Sequence, residues 1–287
     1  MDGVAYVKRV MRPLSPVPTV MEPKLAKLGG ISTVIFDVYG TLLISAAGDI
    51  GMPGRDELGR QAMAGVSGLL GDAFAGSEGL VATELVSLLE NALSERRAGG
   101  SIFPEVDIRL VWKALLERYA PEYSETRIDE AALLYECHLN PVWEMPGSCD
   151  LIQYLATNKI TMGIISNAQN YIHSVFEGVM GGSFEALGID SELMAFSYVE
   201  KEGKPSLTLY QKMKTLINER GAAPESVLYV GNDMIKDVIP ASKIGFRTCL
   251  FAGDNRSLRL GALSCDEVRS VADVIVTSMN QIPELLE

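Results

Sequence analysis

The sequence predicts an α/β protein: a parallel sheet covered by helices on both faces, with a mostly helical segment inserted after its first strand. Three observations carry this. Short apolar runs rich in β-branched residues recur at Thr33–Phe36, Ile160–Ile165, Val227–Val230, Thr248–Phe251 and Val274–Val276. They read as buried parallel strands, which are near-continuously apolar. Helical spacing fills the gaps at Cys149–Asn158, Ser206–Arg220 and Met234–Lys243, and strands alternating with helices imply parallel pairing. The stretch from about 45 to 145 breaks this alternation, with helical periodicity at Glu57–Leu70, Leu80–Arg97, Val106–Tyr119 and Asp129–Asn140 and little strand signal.

Taken in order, residues 1–30 carry Lys8, Arg9, Arg12, Lys24 and Lys27 among Pro13, Pro16, Pro18 and Pro23. Prolines at that density predict an irregular arm rather than a domain. The core is expected over 31–44 and 146–287, and the helical insertion over 45–145, with Gly99-Gly100 and Pro121 as breaks between its helices. Met194–Tyr198 is a weaker strand candidate. No internal repeat or low-complexity tract is present.

Composition narrows the function. The chain has 287 residues, 47% hydrophobic, with a formal net charge of −12. That length and content support a large core or a core plus a smaller domain. The acidic balance disfavours nucleic acid or an anionic membrane as partner, because phosphate backbones demand clustered Lys and Arg. No apolar stretch approaches the roughly 20 residues that span a bilayer, and the N-terminus does not read as a signal peptide. Four dispersed cysteines without a CxxC pair read as reduced thiols, so the expected location is cytoplasmic.

Chemistry-bearing residues fall at predicted strand ends and helix starts, where open α/β sheets build their sites. Asp37 ends the first strand and is followed by Tyr39, Gly40 and Thr41. A carboxylate there can act as a nucleophile regenerated by water; alone it is equally an ordinary turn residue. Ser166 and Asn167 end the next core strand and can donate to substrate oxygens, or simply cap a helix. Lys204, before Pro205, can neutralise a nucleophile and a transferring group, or be a solvated lysine. Gly231-Asn232-Asp233, with Asp237 one turn on, can serve Mg²⁺, which takes one or two carboxylates plus water and substrate oxygens. Acidic residues also gather at helix N-termini for their own sake. Four such signals in this order are far less expected by chance than any one.

Together with Phe184–Ile189 and Met145-Pro146-Gly147, these motifs make residues from about 31 to 280 resemble the haloacid dehalogenase superfamily. The resemblance implies a Rossmann-like core and a helical cap formed by the insertion. It implies Asp37 as nucleophile, Ser166 and Thr41 as substrate-binding residues with Asn167 beside them, and Lys204 orienting the transferring group. Mg²⁺ would be held by Asp37, the Tyr39 carbonyl and Asp233. The phosphatases of that superfamily carry a second Asp two residues after the nucleophile as general acid, whereas this chain has Tyr39, as the metal-free 2-haloacid dehalogenases do. Asp233 is phosphatase-like, and the halide-receiving arginine of the dehalogenases has only Arg55 and Arg60 as candidates. The resulting expectation is a Mg²⁺-dependent hydrolase of a small, anionic, phosphorylated substrate. The alternatives are a metal-free 2-haloacid dehalogenase and, third, a catalytically weak ligand- or partner-binding member.

Overall fold

The computed structural model describes residues 1–47 and 55–286. Helix α1 (Gly3–Val10) precedes strands β1 (Thr33–Phe36) and β2 (Leu43–Ser45). Four helices follow: α2 (Arg55–Leu69), α3 (Glu78–Ala98), α4 (Ile108–Tyr119) and α5 (Glu125–Leu139). The chain returns through β3 (Val142–Glu144), α6 (Ser148–Thr157), β4 (Thr161–Ser166), α7 (Ile172–Met180), β5 (Met194–Phe196), α8 (Ser197–Glu200) and α9 (Thr208–Glu219). It ends with β6 (Val227–Gly231), α10 (Ile239–Lys243), β7 (Arg247–Phe251), α11 (Cys265–Val271), β8 (Val274–Val276) and α12 (Ile282–Leu286).

Six strands form one sheet in the order β5-β4-β1-β6-β7-β8, and each adjacent pair is parallel. Side chains alternate across a strand with period two. Val34 and Phe36 therefore pack on one face with α6 and α7 residues such as Leu151, Leu155 and Phe176, while Ile35 packs on the other with Leu209, Tyr210 and Met213 of α9. Both faces are thus covered, which is why these strands read as unbroken apolar runs. The antiparallel pair β2–β3 stands apart and brackets α2–α5, which pack on one another.

Three departures from sequence expectation have local causes. Met194–Tyr198 is strand only to Phe196, and its remainder turns into α8. The arm contains a helix where an irregular segment was expected: Asp2 caps α1 by accepting from the Ala5 amide at 3.2 Å, and Tyr6 and Val7 are buried. The helix expected at Met234–Lys243 opens with a widened π-type turn over Met234–Val238 before α10. Pro240 has no N–H to return to the Lys236 carbonyl, and the Tyr210 hydroxyl donates to that carbonyl instead.

Edge strand β8 is protected by the arm. Lys24 and Ile275 exchange two backbone bonds of 2.9 Å each, and Lys24 Nζ donates to the Arg269 and Ala272 carbonyls at 2.8 Å. Such cover removes the open row of donors and acceptors that invites strand addition. The four cysteines are free thiols. No helix among the described residues is long and apolar enough to cross a membrane.

Candidate active site

From β1 the chain builds outward to β4 and β5 on one side, then returns to build β6, β7 and β8 on the other. The crevice between strands whose connections diverge is where open sheets place ligands, beyond the carboxyl ends. Asp37 stands there, its amide extending the ladder to the Val230 carbonyl at 2.9 Å. Ser166 ends β4 on one side, and Gly231 ends β6 on the other.

The polar groups converge on one oxygen. Asp37 Oδ1 accepts from Ser166 Oγ at 3.0 Å and from Lys204 Nζ at 2.7 Å. Lys204 also donates to Asp237 Oδ1 at 2.6 Å, so it bridges two carboxylates. The Tyr229 hydroxyl donates to Asp237 Oδ1 at 2.9 Å, and Asp237 Oδ2 accepts the Asp233 amide at 3.0 Å. Burial of the Lys204 ammonium opposes its charge, but Asp237 and Asp37 together hold its pKa well above the usual lysine value. Asp37 moves up to about 6: burial raises it, Lys204 pulls it back, and Asp237 raises it again.

After Asp37 the chain turns through Gly40 at φ +84°, a left-handed conformation suited to glycine. Thr41 is fully buried, and its Oγ1 donates to Asn232 Oδ1 at 3.0 Å. The Tyr39 hydroxyl is buried without a hydrogen-bond partner among the described residues. Its pKa is well above that of an ordinary tyrosine, through burial first and then the neighbouring Glu136 and Cys137 of α5. The phenol therefore keeps its proton and is a donor.

Asp37, Ser166 and Lys204 are brought into direct contact, and Thr41 lies in the adjoining turn. Asn167 engages the backbone of the lysine: Lys204 N donates to its Oδ1 at 2.7 Å, and its Nδ2 donates to the Lys204 carbonyl at 3.2 Å. It fixes the lysine's backbone. Asp233 caps the widened turn, its Oδ1 accepting the Ile235 and Lys236 amides at 2.7 and 2.9 Å. Arg60 is an exposed partner of Glu57 at 2.6 Å, and the Arg55 side chain lies outside the described residues. Sequence reasoning missed Tyr229, which reads as one more apolar strand position, and did not see that Asp237 belongs to Lys204.

The α2–α5 insertion touches these strand-end loops. Gln169 accepts the Ile108 amide at 2.9 Å and donates to the Val106 carbonyl at 2.9 Å. Gly203, next to Lys204, donates to the Phe103 carbonyl at 2.8 Å. Trp112 of α4 is buried in the core.

No protein-family model and no curated protein matches the chain. Solved structures do. A 2-haloacid dehalogenase from Pseudomonas syringae pv. Tomato DC3000 is similar at 17% identity over 89% of this chain and 97% of its own, with a TM-score of 0.55. An HAD phosphatase from Thermococcus onnurineus is similar at 14% identity over 89% and 97%, with a TM-score of 0.51. The protein thus has the α/β Rossmann-like fold found in the haloacid dehalogenase superfamily. That fold occurs in both dehalogenases and phosphatases, so function has to be argued from the site.

Proposed function

We propose that the protein is a Mg²⁺-dependent hydrolase that uses Asp37 as nucleophile on a small phosphorylated substrate, with α2–α5 acting as a cap over the strand ends. Charge balance is the observation that best supports a cation. Asp37, Asp233 and Asp237 are 6%, 9% and 1% exposed, and among the described residues the one buried ammonium beside them is Lys204. Buried charge is costly unless paired, and both Asp37 and Asp233 respond with raised pKa values, burial being the first cause in each. A divalent cation would correct the imbalance.

The donors suit Mg²⁺. Among the described residues no three His, Cys, Asp or Glu side chains form a ready-made metal cage. Asp37, Asp233 and the Tyr39 carbonyl would hold the ion, with water and substrate oxygens completing the shell, an arrangement usual for Mg²⁺. Bound there, the cation would neutralise charge on the transferring group.

The remaining chemistry belongs to the chain. Ser166 and Lys204 both engage Asp37 Oδ1, and we assign attack on phosphorus to Oδ2. The P–O bond to the leaving group breaks as the aspartyl phosphate forms, and water then attacks phosphorus and regenerates Asp37. Lys204 stays protonated and offsets the growing charge. Tyr39 has a proton to donate in a hydrogen bond but is a weak acid, so a leaving group that needs a proton is poorly served. Loss of a general acid typically costs about 10² to 10⁴ in rate. Turnover is therefore expected to fall steeply with leaving-group pKa, acyl and aryl phosphates being preferred. Equal rates for aryl and alkyl phosphates would contradict this preference.

The first test is phosphate release from p-nitrophenyl phosphate with Mg²⁺ or chelator, with Asp37→Asn as blank. A second readout needs no turnover. Asp37 lies at about 6 in the fold against an ordinary 3.8, so the folded protein binds more protons between those values. Without a divalent cation, the contribution of Asp37 to stability is therefore fully present below pH 3.8 and lost as pH rises through about 6. Mg²⁺ is expected to raise Tm above pH 6, and Asp233→Asn to weaken that rise. A Tm indifferent to Mg²⁺ at pH 8 would count against the metal site.

Tyr39 favours a second reading, metal-free dehalogenation, since halide leaves without a proton. Chelator-insensitive halide release from 2-haloacids, with no phosphatase activity, would establish it.

A further inference from the structure

The loop after β7 enters the candidate site, and the N-terminal arm holds it there. Ser257, 2% exposed, lies against the turn that follows Asp37. Its Oγ shares one proton between the Gly40 and Asp254 carbonyls, both at 3.3 Å, and its own carbonyl accepts from Asn232 Nδ2 at 2.6 Å. A Cβ on Gly40 would fall 2.6 Å from Ser257 Cβ. Ser257 therefore closes against the glycine, while Asn232 extends the contact to the Thr41 hydroxyl.

Three residues upstream, Asp254 is 1% exposed. Its Oδ1 accepts the Arg256 amide at 3.0 Å, and Arg256 Nη2 meets Oδ2 at 2.8 Å. The same Oδ1 accepts the Val17 amide of the arm at 3.1 Å. The arm adds further bonds: Asn255 N to the Val17 carbonyl at 2.8 Å, Thr19 Oγ1 to the Ala252 carbonyl at 2.7 Å and Arg256 Nη2 to the Ser15 carbonyl at 2.5 Å. Val17 sits between Pro16 and Pro18. A residue before proline is held extended, so the arm presents its amide and carbonyl in fixed directions. A chain of contacts thus runs from Val17 through Asp254 and Ser257 to Gly40, Asn232 and Thr41.

We propose that Ser257 is a positioning residue for the Gly40–Thr41 turn, and that the N-terminal arm sets its place through Asp254. Its consequence for turnover rests on the phosphohydrolase reading; its structural content does not. Truncating Asp254 would strand Arg256 and threaten folding, so the test uses two milder variants of the full chain. Val17→Pro deletes the amide that bonds Asp254, at a residue whose side chain is exposed and which Pro18 already holds extended. Ser257→Ala deletes the hydroxyl.

In both variants, amide hydrogen exchange across residues 38–43 is expected to quicken about 3- to 10-fold, the equivalent of one ordinary hydrogen bond. Exchange across 33–36 of β1 should not change. With p-nitrophenyl phosphate, KM should rise by a similar factor while kcat changes less than about twofold. Unchanged exchange at 38–43 in Val17→Pro, or protection lost equally along β1, overturns the proposal. A wild-type protein without phosphatase activity overturns the phosphohydrolase reading instead, and the exchange result still decides the role of the arm.

Discussion

Replacing Lys204 with methionine is expected to destabilise the protein by about 3–5 kcal/mol at neutral pH, the usual cost of removing one partner from a buried ion pair. Its side chain is 3% exposed and lies 2.7 Å from Asp37 and 2.6 Å from Asp237, whose side chains are 8% and 1% exposed. Methionine fills similar space but leaves two buried carboxylates facing each other without a cation. Without the ammonium that pulls its pKa back, Asp37 holds its proton to still higher pH. The variant's deficit should therefore shrink as pH falls towards 4 and grow towards pH 8. Urea midpoints at pH 5 and pH 8 measure this directly. A variant with wild-type midpoints at both would mean that the ammonium is not what balances these carboxylates.

The sheet was legible because its strands are buried on both faces, so that Thr33–Phe36 or Val227–Val230 announces itself without long-range information. The positions of Asp37 and Ser166 were legible for a related reason, a polar residue closing such a run, whereas Lys204 was placed by Pro205 and the helical pattern that follows it. Partnership was not legible. Asp233 and Asp237 are one turn apart, and nothing local says that the second pairs with Lys204 while the first caps the turn. Tyr229 was hidden for the opposite reason, since its ring belongs to the core while its hydroxyl reaches Asp237. Ser257 carries no motif at all. Its contact with Gly40 arises from a separation of 217 residues, which only the fold can close.

Asp37→Asn is expected to abolish turnover, by at least about 10⁴-fold, because loss of a nucleophile removes the covalent route itself. The same change should leave stability at pH 8 equal to or above wild type. Asparagine keeps the shape and an oxygen for Ser166 and Lys204, and it removes a carboxylate that burial and Asp237 both disfavour. Activity lost with stability retained is the signature of a charge kept for chemistry against the preference of the fold. A destabilised, partly active variant would instead make Asp37 a structural partner of Lys204. With wild-type enzyme in excess over substrate, a single turnover in ¹⁸O-water separates the two chemistries. Water attacking phosphorus puts the label into inorganic phosphate and none into the protein. Water attacking the carbonyl carbon of an alkyl ester, as dehalogenation requires, leaves it in the Asp37 carboxylate. Mass measurement of the peptide containing Asp37 therefore decides which bond the second step breaks.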